Sequence, residues 1–202
     1  GVQTCALPIS IFPENSHPDE VYINGNKQND VTNSYNLNQT DNFIELIWYN
    51  LTSNCDHMFF LCSDITEIDL SNFNTSNVDN MQWMFRGCSS LTSINLSNFD
   101  TSKSTLMNSM FNGCSSLTSL NLSNFNTSSV TKMHNMFEGC SSLTSLNLSN
   151  FDTSKVEMME YMFFGCTNLE YINMLNFNEK SLSSHYYDIF KNVPNNIVIC
   201  IN

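Results

Sequence analysis

The stretch that decides the fold is residues 110–130, MFNGCSSLTSLNLSNFNTSSV, which returns almost unchanged at residues 136–156 as MFEGCSSLTSLNLSNFDTSKV. Outward from these two segments the pattern extends to five copies, numbered here from one to five, whose Met-Phe pairs are spaced by 26 residues. The pairs begin at Met58, Met84, Met110, Met136 and Met162. A fixed period of about 20–30 residues is typical of stacked repeats, in which each unit buries its apolar side against its neighbours. We therefore predict one continuous stack of units.

Apolar residues in the second half of each copy alternate like a short strand. In the second copy they are Leu91, Ile94, Leu96 and Phe99. The centre of this run places alternate side chains on opposite sides of the backbone. Equivalent strands in successive copies would pair side by side, so we expect a parallel β-sheet. The last copy is shifted by one residue, and its strand is predicted between Ile197 and Ile201.

The residues that precede each strand are predicted to form a short helix. Around the second Met-Phe pair the apolar residues are Val78, Met81, Met84, Phe85 and Cys88. Their spacing is typical of one face of a helix. Gly87 then fits the left-handed position that commonly follows a helix end, and Asn192 takes the same position in the last copy. These patterns predict an α/β repeat solenoid with a parallel sheet and short helices.

Three parts of the chain differ in composition. Residues 1–9, GVQTCALPI, match the translation of a common sequencing adapter and contain the only alanine of the chain. We expect them to be foreign to the fold and the natural N-terminus to be missing. Residues 10–49 are predicted to be an N-terminal segment with a β cap, in which VYING and NFIELIWYN favour strands that cover the first copy. Residues 50–202 are predicted to be the repeat solenoid, with about five 26-residue units and a degenerate last unit.

Composition and charge exclude several classes of function. The 202-residue chain is 41% hydrophobic, which is enough for a buried core. Its formal charge is −12 with seven Lys and Arg residues, which are scattered instead of forming the basic stripe that nucleic acid requires. The same charge opposes an anionic membrane, and no apolar run approaches the roughly 20 residues of a membrane-spanning helix. We expect no nucleic-acid partner and no membrane insertion by this part of the protein.

The unit LTSLNLSNFDTSKV followed by MFxGCSS resembles the BspA-like leucine-rich repeats, of the type also found in mycoplasma-type surface lipoproteins. The resemblance extends over residues 42–202 and rests on the motifs LSNF, TSxV and MFxGCSSL. It implies a right-handed, leucine-rich-repeat-like coil in a secreted or surface-attached protein. It also implies adhesion and the binding of host or matrix proteins. The chain departs from the motif at Leu61, which replaces the first glycine, and at Ser104, which replaces a valine.

Residues that usually carry catalysis or bind metals do not recur in a suitable pattern. The cysteines that repeat with the unit are Cys62, Cys88, Cys114, Cys140 and Cys166. Their parallel side chains suit a column of buried thiols better than disulfides, whereas Cys55 and Cys200 lie outside the column and their pairing stays open. The four histidines occupy unrelated positions, and no nucleophile has a placed base and an orienting acid. We expect a protein that is not an enzyme and uses no cofactor or metal.

One candidate binding surface is the outward face of the predicted strands. The motif Ser-x-Asn-x-Ser recurs there, at Ser93, Asn95, Ser97, Ser119, Asn121, Ser123, Ser145, Asn147 and Ser149. An uncharged face of hydroxyl and amide groups is able to dock a protein or a glycan, or to match an ordered lattice. The same groups also suit a sheet face that is simply solvated. Each asparagine matches the N-x-S glycosylation motif, and its modification stays open.

A second candidate surface consists of the positions that flank each Met-Phe pair, which vary where the rest repeats. We call it the variable surface; its pairs are His57/Phe60, Trp83/Arg86, Ser109/Asn112, Asn135/Glu138 and Tyr161/Phe164. Selective recognition needs a non-repeating pattern, and aromatic and arginine side chains are common interface anchors. We predict that Trp83, Arg86, Tyr161 and Phe164 bind a partner. Partial packing is the alternative role for these rings.

Together these features favour a non-enzymatic protein-interaction or adhesion module at the cell surface or outside the cell. A structural spacer built from interchangeable repeats is the alternative, and a glycan- or lattice-binding surface is the third. Uniform tolerance to substitution on both faces would favour the spacer. Loss of adhesion on replacing Trp83 and Tyr161 would favour binding.

Overall fold

The computed structural model describes residues 18–31, 43–49, 53–178 and 189–201. Residues 1–9, which we expect to be foreign to the fold, lie outside these ranges. The strands of the described residues are β1 Glu20–Ile23, β2 Asn26–Lys27, β3 Ile44–Ile47, β4 Glu67–Asp69, β5 Ser93–Asn95, β6 Ser145–Asn147, β7 Tyr171–Asn173 and β8 Val198–Cys200.

An antiparallel sheet precedes the repeats. β1 lies between β2 and β3 and pairs with both, and Val21 is opposite Leu46. Val21 is fully buried in the same hydrophobic core as the repeats. Trp48, which follows β3, packs edge-on against Phe73 of the first copy, with ring centroids 5.3 Å apart. The N-terminal sheet therefore contacts the first copy through side chains.

The repeat strands pair in parallel, as predicted, but the described strands form two sheets instead of one. β4 pairs with β5, with Ile68 opposite Ile94. β6, β7 and β8 form the second sheet, in which Ile172 is opposite Ile199. That step is one residue longer than the 26-residue period, which confirms the shift of the last copy. Residues 119–121 of the third copy are not paired as a strand, and nothing in the structure explains this interruption.

The predicted short helices do not form, because each described segment around a Met-Phe pair is a series of turns. In the third copy the N–H groups of Met110, Asn112 and Cys114 donate to carbonyl groups three residues earlier. The N–H groups between them donate to carbonyl groups of the fourth copy. Ser109 and Gly113 have φ angles of 56° and 75°, so each of two successive turns contains a left-handed residue. This conformation prevents the hydrogen bonds between residues four apart that define an α-helix. The next copy thus accepts the hydrogen bonds that a helix would make internally.

Left-handed backbone occurs where the repeat predicts it. The glycine that ends each turn segment has a positive φ in copies two to five, and Asn192 replaces it in the last copy with a φ of 60°. In the fourth copy a Cβ built on Gly139 would lie 3.6 Å from the Cα of Gly113, which is ordinary contact. The backbone conformation, not the available space, therefore favours glycine at this position.

Two columns of phenylalanine rings run through the core. The first consists of Phe59, Phe85, Phe111, Phe137, Phe163 and Phe190, whose neighbouring centroids are 5.4–5.9 Å apart. The second consists of Phe73, Phe99, Phe125 and Phe151, at 6.2–6.4 Å. Both columns cross the third copy. Stacked rings therefore connect the copies where the strands are not paired.

Buried polar side chains also join each copy to the next. The threonines of the TSxV motif are buried and bond to the backbone of the following copy; they are Thr75, Thr101, Thr127 and Thr153. Ser104, which replaces a valine, is fully buried and donates its hydroxyl to the carbonyl of Val78 at 2.9 Å. Asn124 donates to the carbonyl groups of Leu96 and Phe99 at 3.0 and 2.8 Å, across the interruption in the sheet.

The repeated cysteines form a column of buried thiols, as predicted. None of the cysteines among the described residues forms a disulfide, including Cys55 and Cys200. Cys114 donates its thiol to the carbonyl of Phe85, with Sγ 3.2 Å from the oxygen. Burial raises the pKa of Cys114 and Cys166 to about 12. These thiols therefore fill the core as small apolar groups and stay protonated.

Candidate interaction surfaces

Half of the residues of the variable surface have an unusual backbone conformation. The first member of each flanking pair has a φ between 56° and 59°; these residues are His57, Trp83, Ser109, Asn135 and Tyr161. A side chain in this left-handed region costs about 1–2 kcal/mol, and glycine or asparagine avoids most of that cost. Three of these positions carry rings. The aromatic side chains are therefore kept there against the preference of the backbone.

The residues of the first two copies meet in one cluster, which we call the N-terminal cluster; it consists of His57, Phe60, Leu61, Trp83 and Arg86. The His57 ring lies 4.4 Å from the Trp83 ring and 4.9 Å from the Phe60 ring, measured between centroids. The Arg86 guanidinium carbon lies 5.8 Å from the centroid of Phe60. Leu61 has a φ of 57° and is 51% exposed. Three rings and a cation are thus brought together at one end of the variable surface, and the backbone N–H of the exposed Leu61 donates to the carbonyl of Arg86 at 2.7 Å.

The middle of the variable surface is polar and internally bonded. Asn112 donates its side-chain amide to Glu138 Oε2 at 2.7 Å, and Asn135 donates to the same oxygen. Glu138 is half-buried, and its carboxylate accepts hydrogen bonds from two amide donors instead of projecting alone into solvent. This region separates the aromatic residues of the two ends.

Tyr161 and Phe164 form the other end of the variable surface. Their rings are edge-on, with centroids 5.8 Å apart, and Tyr161 is 37% exposed. The structure therefore places the four predicted anchors in two groups, Trp83 with Arg86 in the N-terminal cluster and Tyr161 with Phe164 three copies further along. A partner that engages both groups must extend along the stack.

On the strand face, the predicted serine and asparagine ladder has a structural task. Asn95 Oδ1 accepts the backbone N–H of Ser97 at 3.1 Å. The equivalent bonds recur in the next two copies, from Ser123 to Asn121 and from Ser149 to Asn147. Ser93, Ser119 and Ser145 are exposed beside them. The asparagines therefore shape the turn after each strand position, and only part of each amide is left for a ligand.

A column of polar side chains lies one position before each left-handed residue, and the sequence interpretation overlooked it. Gln82 donates to Asp56 Oδ2 at 3.3 Å. Asn108 is 3% exposed, and its Oδ1 has no hydrogen-bond partner within the part of the chain that the structure describes. Burial lowers the pKa of His134, and the nearby charge of Glu160 opposes this shift. Polar residues repeating at a position flanked by buried methionines are the signal that could have revealed the column.

Leu61 was noted in the sequence only as a departure from the glycine motif. Its exposure and its place beside Phe60 and Arg86 make it part of a surface, which the sequence pattern alone does not reveal. A large apolar residue at a repeat position otherwise held by glycine is the available signal.

Groups of three or more His, Cys, Asp or Glu side chains placed to hold a metal ion are absent from the described ranges. In those same ranges, no helix has the length and apolar character needed to cross a membrane.

Stacked copies with varying outward positions define a repeat protein. A family model described as "Mycoplasma protein of unknown function, DUF285" matches residues 53–173 and 93–196, and the first match alone covers more than half of the chain. The chain belongs to this family. This result agrees, at the level of the family, with the mycoplasma-type repeats that the motifs LSNF and MFxGCSSL resemble.

None of the curated proteins matches the chain. Among solved structures, the chain is similar to a leucine-rich repeat protein from Bacteroides ovatus, with 22% sequence identity and a TM-score of 0.37. The similarity covers 59% of this chain and 34% of that chain. The chain therefore spans about a third of the length of that protein.

Proposed function

We propose that this chain is a non-enzymatic protein-interaction module, secreted or attached to a cell surface, whose variable surface binds a host or matrix protein. In this proposal the copies form one continuous right-handed solenoid that acts as a scaffold. The repeated residues stabilise the scaffold, and the varying residues determine which partner binds.

The observation that carries the proposal is the conformation of the ring-bearing residues. His57, Trp83 and Tyr161 have φ angles of 56–59°, although glycine is used at the other left-handed position of copies two to five. A purely structural repeat would gain stability from glycine or asparagine at both positions. Conformational strain of this kind is retained at functional sites, where the surrounding structure holds it in place.

The scaffold supports recognition because it is ordered before the partner arrives. Stacked rings and buried threonine bonds fix each copy against the next. A pre-ordered surface loses little conformational entropy on binding, so more of the contact energy remains as affinity. Trp and Tyr also supply large contact areas with few rotatable bonds.

The proposal is tested by binding to a panel of immobilised extracellular-matrix proteins, measured by surface plasmon resonance. Trp83→Ala and Tyr161→Ala are each expected to weaken binding to the responding matrix protein at least about tenfold, as interface anchors do. Thr144→Ala is the matched control, since Thr144 is exposed on the strand face. Equal binding by all three variants would remove the proposal and favour the structural spacer.

A glycan-binding strand face is the weaker candidate. Its asparagines already use their carbonyl oxygens inside turns, as Asn95 does with Ser97. A glycan array probed with the intact chain and with Ser119→Ala measures this candidate separately. Binding that depends on Ser119 would support it, whereas an empty array would remove it.

A further inference from the structure

We infer that the N-terminal cluster is the main anchor of the variable surface, and that it receives from the partner protein an apolar side chain flanked by a carboxylate. The inference rests on the proposed function and assigns both the place of the anchor and the chemistry of its ligand. It adds Leu61 to the binding residues, although Leu61 lies at a glycine position of the repeat.

Leu61 carries a conformational cost that the fold does not require. Its φ of 57° is in the left-handed region, where copies two to five have glycine and the last copy has Asn192. Half of the side chain is exposed to solvent. The buried part covers Gly87, since Leu61 Cδ2 lies 2.5 Å from the point where a Cβ on Gly87 would be. A strained leucine that remains half-exposed contributes little to folding, so its apolar surface is available to a partner.

Three rings of the same cluster add further apolar surface. Phe60 is the neighbour of Leu61 in the chain, and the His57 ring connects Phe60 with Trp83 through the two ring contacts described above. The side chain of Asp56 is only 18% exposed, contacts His57 Nδ1 and accepts a hydrogen bond from Gln82, so little of its carboxylate faces a ligand. The cluster is therefore suited to an aliphatic or aromatic side chain.

Arg86 determines the charge of the ligand. It is the only arginine in a chain with a formal charge of −12. Its side chain is exposed over Phe60, and the ion pairs found among the described residues do not include it. An arginine in this setting is a donor for a carboxylate, which it binds with two parallel hydrogen bonds. Charge complementarity therefore favours Asp or Glu beside the apolar side chain of the partner.

The other end of the variable surface has a different character. Tyr161 and Phe164 contact each other, and no Lys or Arg belongs to the flanking pairs of copies three to five. The nearest charged member of those pairs is Glu138, which is already bound by two amides. An acidic ligand is therefore directed to the N-terminal cluster.

The test selects binders from a random-peptide phage library on the immobilised intact chain. The enriched peptides are expected to share an apolar residue next to Asp or Glu. Leu61→Gly and Arg86→Gln are each expected to reduce retention of these peptides at least tenfold. Asn192→Gly is the matched control, because Asn192 occupies the same repeat position with a φ of 60° at the far end of the stack.

A thermal unfolding midpoint for each variant separates binding from folding. We expect Leu61→Gly to unfold at the same temperature as the wild-type chain or higher, so a loss of binding cannot be assigned to a loss of structure. Peptides lost with Tyr161→Ala but retained by Leu61→Gly and Arg86→Gln would overturn this inference and leave the proposed function standing. Peptides insensitive to every variable-surface substitution would remove both.

Discussion

The buried hydroxyl of Thr101 satisfies both backbone groups of Asn126 in the following copy. Thr101 Oγ1 accepts the N–H of Asn126 at 2.8 Å and donates to its carbonyl oxygen at 3.0 Å. Thr101 is fully buried, whereas Asn126 is exposed. One side chain thus joins two copies through a pair of hydrogen bonds.

Thr101→Val is expected to lower the free energy of unfolding by about 1–3 kcal/mol. Valine has nearly the same shape, but it removes both hydrogen bonds to Asn126, each of which contributes about 0.5–1.5 kcal/mol. Urea unfolding followed by circular dichroism measures the change. Thr105→Val is the control, because Thr105 is exposed, and it is expected to change stability by less than about 0.5 kcal/mol. Equal effects of the two substitutions would contradict the role assigned to Thr101.

Replacing a ring in the middle of a phenylalanine column should cost more than replacing one at its end. Phe111 is fully buried between the rings of Phe85 and Phe137, whereas Phe190 is half-buried and stacks on Phe163. Phe111→Ala is expected to lower the free energy of unfolding by about 3–5 kcal/mol, and Phe190→Ala by roughly half as much. Urea midpoints of the two variants provide the comparison, and a larger loss at Phe190 would count against the stacked core.

Gly139→Ala is expected to destabilise the chain by about 1 kcal/mol through its backbone alone. The φ of Gly139 is 72°, and the added Cβ would make only ordinary contacts with Gly113. Gly139→Asn should cost less, since asparagine tolerates the left-handed region, as Asn192 does. The thermal unfolding midpoint measures the stability of both variants. A Gly139→Asn variant less stable than Gly139→Ala would show that the available space, and not the backbone conformation, determines the cost.

The buried cysteines should resist modification in the folded chain. Burial raises the pKa of Cys55, Cys114 and Cys166 to about 12, so almost no thiolate is present at pH 8. Incubation with iodoacetamide followed by peptide mass spectrometry is expected to label these residues only after unfolding in urea. Cys200 is half-exposed on β8 and serves as the internal comparison, since it should react in the folded chain. Rapid labelling of Cys114 without urea would contradict the stacking.

Stability should fall as the pH is lowered through the titration of His134. Burial lowers the pKa of His134 below its usual value of 6.5, an effect that Lys132 adds to and Glu160 opposes. The unfolded chain therefore takes up the proton first, and the stability contributed by neutral His134 is present above pH 6.5 and is lost below it. His134→Gln is expected to flatten the dependence of the unfolding midpoint below about pH 6.5. An unchanged slope in the variant would exclude His134 as its source.

Much of the repeat architecture follows from residue spacing. The 26-residue period predicted parallel pairing, the positions of Ile94 and Ile172 in their strands, and the left-handed conformation of Gly113 and Asn192. The cysteine column followed from the same reasoning. These features were predictable because each depends on a side chain that every copy contributes at the same point.

The predicted helices were wrong because apolar spacing does not reveal where backbone N–H groups find acceptors. Between Met110 and Cys114 the apolar residues have helical spacing, but the backbone forms consecutive turns whose N–H groups donate partly to the next copy. The left-handed backbone of Ser109 favours turns over a helix, and a serine in the sequence does not indicate a positive φ. Residues 119–121 likewise match the strand pattern without pairing as a strand.

By itself, then, the sequence determined which residues repeat, which of them are buried, and that the copies must stack to bury them. Only the tertiary structure decided which varying side chains meet, because contacts such as that between His57 and Trp83 cross from one copy to the next. The physical reason is that burial is a property of a residue type at a repeated position, whereas a surface cluster depends on turn conformation and on the register between neighbouring copies.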